Sequence, residues 1–219
     1  MSADPNLAYA YCHVVRTKVA SNKVDEMIGL WTREIVPLLK KQKGFGGVTL
    51  IGNRKIGASV SVSYWESESA MRDARSRVRP EAAATLGKTG GSIIEDDECE
   101  VAFLERFQPP KAGGWARLTT VQGDPAQLSQ AVSNFKEKIV PSVRSQPGAR
   151  TAYFFANRQT GKTFAGSVWN TQQDLQKSEA SISALRAEAV NRFGGREAKT
   201  EAMEMYFIEI PTPTAVVGI

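Results

Sequence analysis

The stretch Ala58-Ser-Val-Ser-Val-Ser-Tyr-Trp-Glu-Ser-Glu-Ser-Ala-Met71 decides the fold. It alternates strictly up to Trp65 and then turns at once into a helix start. Side chains in a strand point to opposite faces in turn, so Val60, Val62 and Tyr64 share one face while Ser59, Ser61, Ser63 and Trp65 share the other. Ser67 then offers a hydroxyl to the first free amides of a helix, and Glu68 suits its positive end. The same device returns at 163–175. There Phe164 and Val168 oppose Thr163, Ala165, Ser167 and Trp169, and Thr171 with Asp174 opens the helix.

Working outward, the two tryptophans lie 104 positions apart, and that offset aligns much of the chain. Ile35-Val36-Pro37 meets Ile139-Val140-Pro141, Gly44 meets Gly148, Asn53-Arg54 meets Asn157-Arg158, and Gly57 meets Gly161. Gly90-Gly91, Glu100 and Phe103 find identical partners at the same distance. Self-similarity at one period marks a duplicated structural unit.

Each unit reads as strand, helix, hairpin, helix, strand. In the first, 9–19 is a strand and Asn22 is placed to cap a helix with Val24, Met27, Ile28, Trp31, Ile35 and Leu38 on its apolar stripe. Pro37 should loosen that helix's last turn, as should Pro141 in the second copy. The segments 48–52 and 58–65 form the hairpin, a helix from Ser67 to Val78 is expected to break near Pro80 before resuming to Leu86, and 99–107 is the fourth strand. In the second unit Asp124-Pro125 is a strong helix start. The fold class is therefore α+β: two tandem ferredoxin-like (βαββαβ) domains, their uncovered sheet faces meeting in an intramolecular α/β barrel. The expected boundaries are a first barrel half at 8–107, a proline- and glycine-rich linker at 108–113, a second half at 114–211 and a tail at 212–219.

Composition narrows the function classes. The 219 residues are 42% hydrophobic and 23% charged, ordinary for a globular protein. Net charge is +5, but the basic residues are dispersed without a stripe of stacking aromatics, which argues against nucleic-acid binding. Cys12 and Cys99 lie in expected strands rather than in spaced pairs, so neither a disulfide framework nor a metal site is indicated. With no export signal and no apolar run long enough for a membrane span, the expected setting is cytoplasmic. The absence of phosphate loops, dinucleotide fingerprints and metal-ligand spacings points to no cofactor.

The Ile-Val-Pro motif followed by glycine, the hairpin, and Trp65-Glu-Ser-Glu-Ser-Ala70 together resemble the dimeric α/β-barrel superfamily, specifically antibiotic-biosynthesis-monooxygenase-like domains, here duplicated in tandem. The resemblance implies a pocket in each half-barrel and an activity among cofactor-free oxygenases of aromatic polyketides, quinol oxygenases or haem-degrading enzymes. The aromatic-polyketide oxygenases carry asparagine four residues before the tryptophan and tyrosine six after it. This chain has Ser61 and Met71 there in the first half, and Ala165 and Leu175 in the second. The haem-degrading members need a histidine on the following helix, and neither half has one.

The function expected from this resemblance is a cofactor-independent monooxygenase acting on a planar aromatic or phenolic metabolite; the alternative is a non-catalytic barrel that has kept the fold and lost the chemistry. His13 is the only histidine and could serve as base on a phenol, or be a hydrogen-bonded structural residue. Arg117 could stabilise an enolate or quinone oxygen, or be structurally paired. Trp65, Trp169, Ser61 and Trp115 are the candidate substrate-binding residues, with Ser59, Ser63, Thr163, Ala165 and Ser167 beside them. The pocket is expected on the sheet face turned away from the helices. The halves are expected to be unequal, with Trp115 answering His13 and Arg117 answering Val15. A small aromatic molecule is the expected partner of this internal pseudo-dimer, and further homo-oligomers are compatible with it.

Overall fold

The computed structural model describes residues 9–109 and 112–210, so the tail at 212–219 and the middle of the linker lie outside the described residues. The first half runs β1 (Tyr11–Lys18), α1 (Val24–Leu30), α2 (Val36–Lys40), β2 (Phe45–Asn53), β3 (Ala58–Trp65), α3 (Glu68–Gly87) and β4 (Ser92–Arg106). The second runs β5 (Trp115–Gln122), α4 (Leu128–Asn134), α5 (Val140–Arg144), β6 (Ala149–Ala156), β7 (Lys162–Trp169), α6 (Gln172–Lys177), α7 (Glu179–Arg192) and β8 (Arg196–Glu209). The strands close in the order β1-β3-β2-β8-β5-β7-β6-β4. Each half thus contributes four neighbouring strands, and the two seams are the antiparallel pairs β2–β8 and β4–β6.

The two faces of the deciding strand go to different cores. Val60, Val62 and Tyr64 point into the barrel lumen, where they pack with Val14, Val101, Phe155, Phe164 and Met203. Trp65 points outward and packs under the helices with Ile35, Val36, Leu39 and Met71. The serine-and-tryptophan face therefore looks toward the helices. This reverses the expected placement, because the larger apolar face of β3 is the one consumed in joining the halves. One end of the lumen is charged rather than apolar. Arg16, 3% exposed, has Nη1 2.8 Å from Glu201 and Nε 3.4 Å from Glu95, and Lys162 Nζ lies 2.7 Å from Asp97 and 2.9 Å from Glu95. A guanidinium this deep is tolerable only with carboxylates beside it.

Several local expectations are corrected. The fourth strand begins at Ser92, seven residues before Cys99. Its acidic start, Glu95-Asp-Asp-Glu98, has poor strand propensity, but cations from three other elements reach those carboxylates and tertiary pairing overrides it. Asn22 caps nothing; it sits in a 3-10 turn at Ser21–Lys23 with no side-chain cap. Helix α3 passes through Pro80 without a break, and the proline lies on its exposed face. The other caps form as read: Ser67 Oγ accepts from the Ala70 amide, and Asp124 accepts from the Ala126 amide ahead of α4.

Pro37 acts further upstream than its own turn. Residues Trp31–Ile35 form a π turn between α1 and α2, in which the Val36 amide reaches back to the Trp31 carbonyl. Phe135–Ile139 forms the same turn before Pro141. Widening by one residue moves the preceding carbonyls away from a ring that cannot donate to them. Gly57 closes the β2–β3 hairpin at φ 65°, and a Cβ there would stand 2.0 Å from the Val19 carbonyl oxygen, so only glycine fits.

Candidate functional site

Each half has a hollow between its helices and the outer face of its sheet. The π turn lines it in both cases, through Trp31 and Ile35 in the first half and Phe135 and Ile139 in the second. The first hollow is a cavity of about 80 Å³, walled by Val48, Leu50, Trp65, Trp31, Val78 and Leu86 and by a polar side formed of His13, Ser61, Ser63, Arg75, Arg79 and Asp96.

The polar side is built from β1, α3 and the acidic start of β4. His13 and Ser63 are cross-strand partners, which places the imidazole on the same face as Trp65. His13 Nε2 lies 2.6 Å from Asp96 Oδ1. The same oxygen accepts from Arg75 Nε at 2.8 Å, and Asp96 Oδ2 accepts from Arg79 Nε at 2.5 Å. Arg75 and Arg79 are four residues apart and so project from one face of α3. Burial by itself would raise the Asp96 carboxyl, but the hydrogen bonds from His13, Arg75 and Arg79 outweigh it and hold Asp96 well below the usual carboxylate range. An ionised carboxylate only accepts, so the shared hydrogen sits on Nε2. Nδ1 has no hydrogen-bond partner among the described residues.

A carboxylate held below its unfolded value contributes stability that is present above about pH 4 and is lost as pH falls through the folded value. Asp96→Asn should therefore be less stable than the parent at neutral pH, and the gap should narrow as pH drops below about 4; urea titrations at several pH values measure it. A gap that stays constant would contradict the assignment.

The second half is a different chemical object. Its cavity, about 70 Å³, is lined by Arg117, Thr119, Thr163, Ala165, Ser167 and Arg186 among apolar side chains. Arg117 pairs with Ser167 across β5–β7, the register at which His13 pairs with Ser63. His13 and Arg117 are thus counterparts, and Trp115 answers Tyr11, which corrects the expected pairing of His13 with Trp115 and of Val15 with Arg117 by two residues. The Arg117 guanidinium is 4% exposed as a residue and fully engaged: Nη1 donates to Ser178 Oγ at 3.0 Å, Nη2 to the Leu175 carbonyl at 2.6 Å, and Glu179 lies 2.9 Å away. These bonds hold the end of α6 against the start of α7. Burial lowers the affinity of Arg117 for its proton, with Glu179 opposing.

The structure therefore brings His13, Ser61 and Trp65 around one cavity and puts Arg117 in the other. Trp169 is fully buried in the second half's helix-side core, its Nε1 donating to Ser167 Oγ at 2.9 Å as Trp65 donates to Ser63 at 3.0 Å. Trp115 pairs with Trp169 at the start of β5 and lines neither cavity. Ser59 is buried away from the first cavity.

No protein-family profile matches the chain. Among curated proteins it is 23% identical over 206 residues to the uncharacterized protein Rv2557 of Mycobacterium tuberculosis, covering 94% of this chain and 92% of that one. It is 24% identical over 184 residues to Rv2558 of the same organism, covering 83% and 77%. Among solved structures, a provisionally assigned monooxygenase of Fusobacterium nucleatum superposes with a TM-score of 0.70 at 13% identity, covering 96% of both chains. An anthrone oxidase-like protein gives 0.65 at 13% identity, over 92% of this chain and 93% of that one. The chain has the fold of an α/β barrel closed by two halves of one polypeptide. The heme-degrading enzyme LmHde of Listeria monocytogenes shares the fused barrel's fold at a TM-score of 0.51 and 12% identity, over 89% of this chain and 99% of that one.

The chain's single histidine lies on β1 rather than on α3, and its Nε2 is held by Asp96, so no free imidazole faces the hollow from the helix side. Among the described residues no group of three or more histidine, cysteine or acidic side chains is placed to hold a metal ion, and no helix is long and apolar enough to cross a membrane.

Asp96, Arg75 and Arg79 are the residues that sequence reasoning missed. The signal was present as arginines at helical spacing in 72–79 facing acids at strand spacing in 96–100. It was hidden because the expected fourth strand begins only at residue 99, leaving the acidic run outside it.

Proposed function

We propose that the fused barrel binds a small planar phenol in its first half, and that the His13–Asp96 pair removes the substrate's acidic proton so that the resulting anion reacts directly with dioxygen. One observation carries this reading: the chain's only imidazole lines an apolar cavity with one nitrogen fixed by a carboxylate that is itself clamped by two arginines. A base oriented by an ionised partner stays in one tautomer and gains stabilisation when it takes up a proton. The walls of Trp31, Trp65 and Leu50 suit a flat ring and exclude water. The anthrone oxidase-like neighbour supports the reaction class. For an anthrone-type carbon the sum is a CH₂ group plus O₂ giving a carbonyl plus water: four electrons leave the carbon, both oxygen atoms are accounted for, and no external reductant is needed.

His13→Ala should lower oxygen uptake on a competent phenol by about 10²- to 10⁴-fold while leaving the melting transition in place. An oxygen electrode with a panel of anthrones, naphthols and hydroquinones reads this. A variant as active as the parent, or no uptake on any member, would favour the second reading, a non-catalytic small-molecule-binding barrel. Its supporting observation is that Met71 is buried among apolar side chains at the place where the aromatic-polyketide oxygenases carry tyrosine.

A further inference from the structure

The duplication supplies an internal comparison that points to the chemical class of the ligand. Arg75 on α3 corresponds, at the 104-residue offset, to Glu179 on α7. In the second half the Glu179 carboxylate stands at the cavity's edge, 2.9 Å from Arg117 Nη2 and paired with both terminal nitrogens of Arg186. The arginines of that half are neutralised from within the chain. In the first half the corresponding position is cationic. Arg75 and Arg79 both line the cavity, and their side chains are 36% and 49% exposed. Each spends its Nε on Asp96; Arg75 Nη1 then lies 3.4 Å from Glu98, but the two terminal nitrogens of Arg79 have no partner among the described residues. The lining holds two guanidiniums against one carboxylate, and that carboxylate is shared with His13.

We infer that the first-half cavity takes a planar aromatic carboxylate, with its ring between the tryptophans and its carboxylate on the free edge of Arg79, supplying from outside the anion that Glu179 supplies in the second half. A planar guanidinium edge matches a carboxylate with two parallel hydrogen bonds, and a charge-assisted pair at the mouth of an apolar hollow leaves the ring free to enter. The inference rests on the reading of this cavity as the ligand site, but it concerns binding and not turnover.

The test compares 4-hydroxybenzoate, its methyl ester and phenyl phosphate by isothermal titration with the full chain. The acid should bind at least tenfold more tightly than the ester. Arg79→Gln should abolish that advantage while leaving the ester's affinity unchanged. His13→Ala should keep the acid preference, so loss of turnover with retained preference would separate a failure of the oxygenase reading from a failure of this one. An ester that binds as tightly as the acid, an Arg79→Gln variant that still prefers the acid, phenyl phosphate binding more tightly than the acid, or no acid binding at millimolar concentration would each overturn it.

Discussion

A chain ended after residue 110 should not persist as a folded monomer. It would carry β2 and β4 without their seam partners β8 and β6, and would expose Val14, Ile51, Val60, Val62, Tyr64 and Val101 on an open sheet face. At about 1.5–3 kcal/mol for each large apolar side chain, that exposure is comparable with the whole 5–15 kcal/mol by which ordinary domains are stable. The fragment should restore the burial by pairing with a second copy, or precipitate through its two free edges. Light scattering after size exclusion distinguishes these outcomes. A soluble, cooperatively folded monomer would show that the lumen is not a shared core.

The second large effect concerns the paired tryptophans. Trp65 and Trp169 are 1% and 0% exposed, and each anchors its strand end to the helices above it. Trp169→Ala should cost about 3–5 kcal/mol, the usual range for deleting a buried aromatic. It also leaves Ser167 Oγ without its donor and removes the ring beneath the Arg117 guanidinium, whose centre lies 5.9 Å from the ring centroid. Trp65→Ala should cost a similar amount. The milder exchange to phenylalanine should separate the two sites: at 65 it alters the cavity wall and weakens binding of a phenol, whereas at 169 it changes stability alone. Urea unfolding and ligand titration on both variants measure this. Equal effects on binding would contradict the inequality of the halves.

Much of the fold was legible because its strongest signals are local and occur twice. The alternation at 58–65 and the hydroxyl caps at Ser67 and Thr171 each have a short-range cause, and the period that links the copies fixes the topology. What was hidden depends on contacts between distant segments. The run Glu95–Glu98 becomes strand only because α3, β1 and β7 bring cations to it, and no pattern within the run itself announces them. The face on which the cavity lies was misjudged for a related reason. Small polar side chains on β3 suggested an underfilled barrel, but Tyr64, Tyr153 and Phe155 from both halves pack the lumen and leave only about 50 Å³ there, while the cavities of about 80 and 70 Å³ lie under the helices. His13 and Arg117 were singled out separately although the 104-residue offset already pairs them, and the strand register confirms that pairing.

The two half-barrel cavities differ in that the first presents the free guanidinium edge of Arg79 to a ligand, while in the second Glu179 pairs Arg117 and Arg186 from within the chain. Isothermal titration of the intact chain with 4-hydroxybenzoate tests it most directly. The account predicts one site per chain, abolished in the double variant Trp65→Phe, Arg79→Gln and unaffected by Trp169→Phe. Two equivalent sites, or a single site that survives the first-half substitutions and disappears with those in the second half, would contradict it.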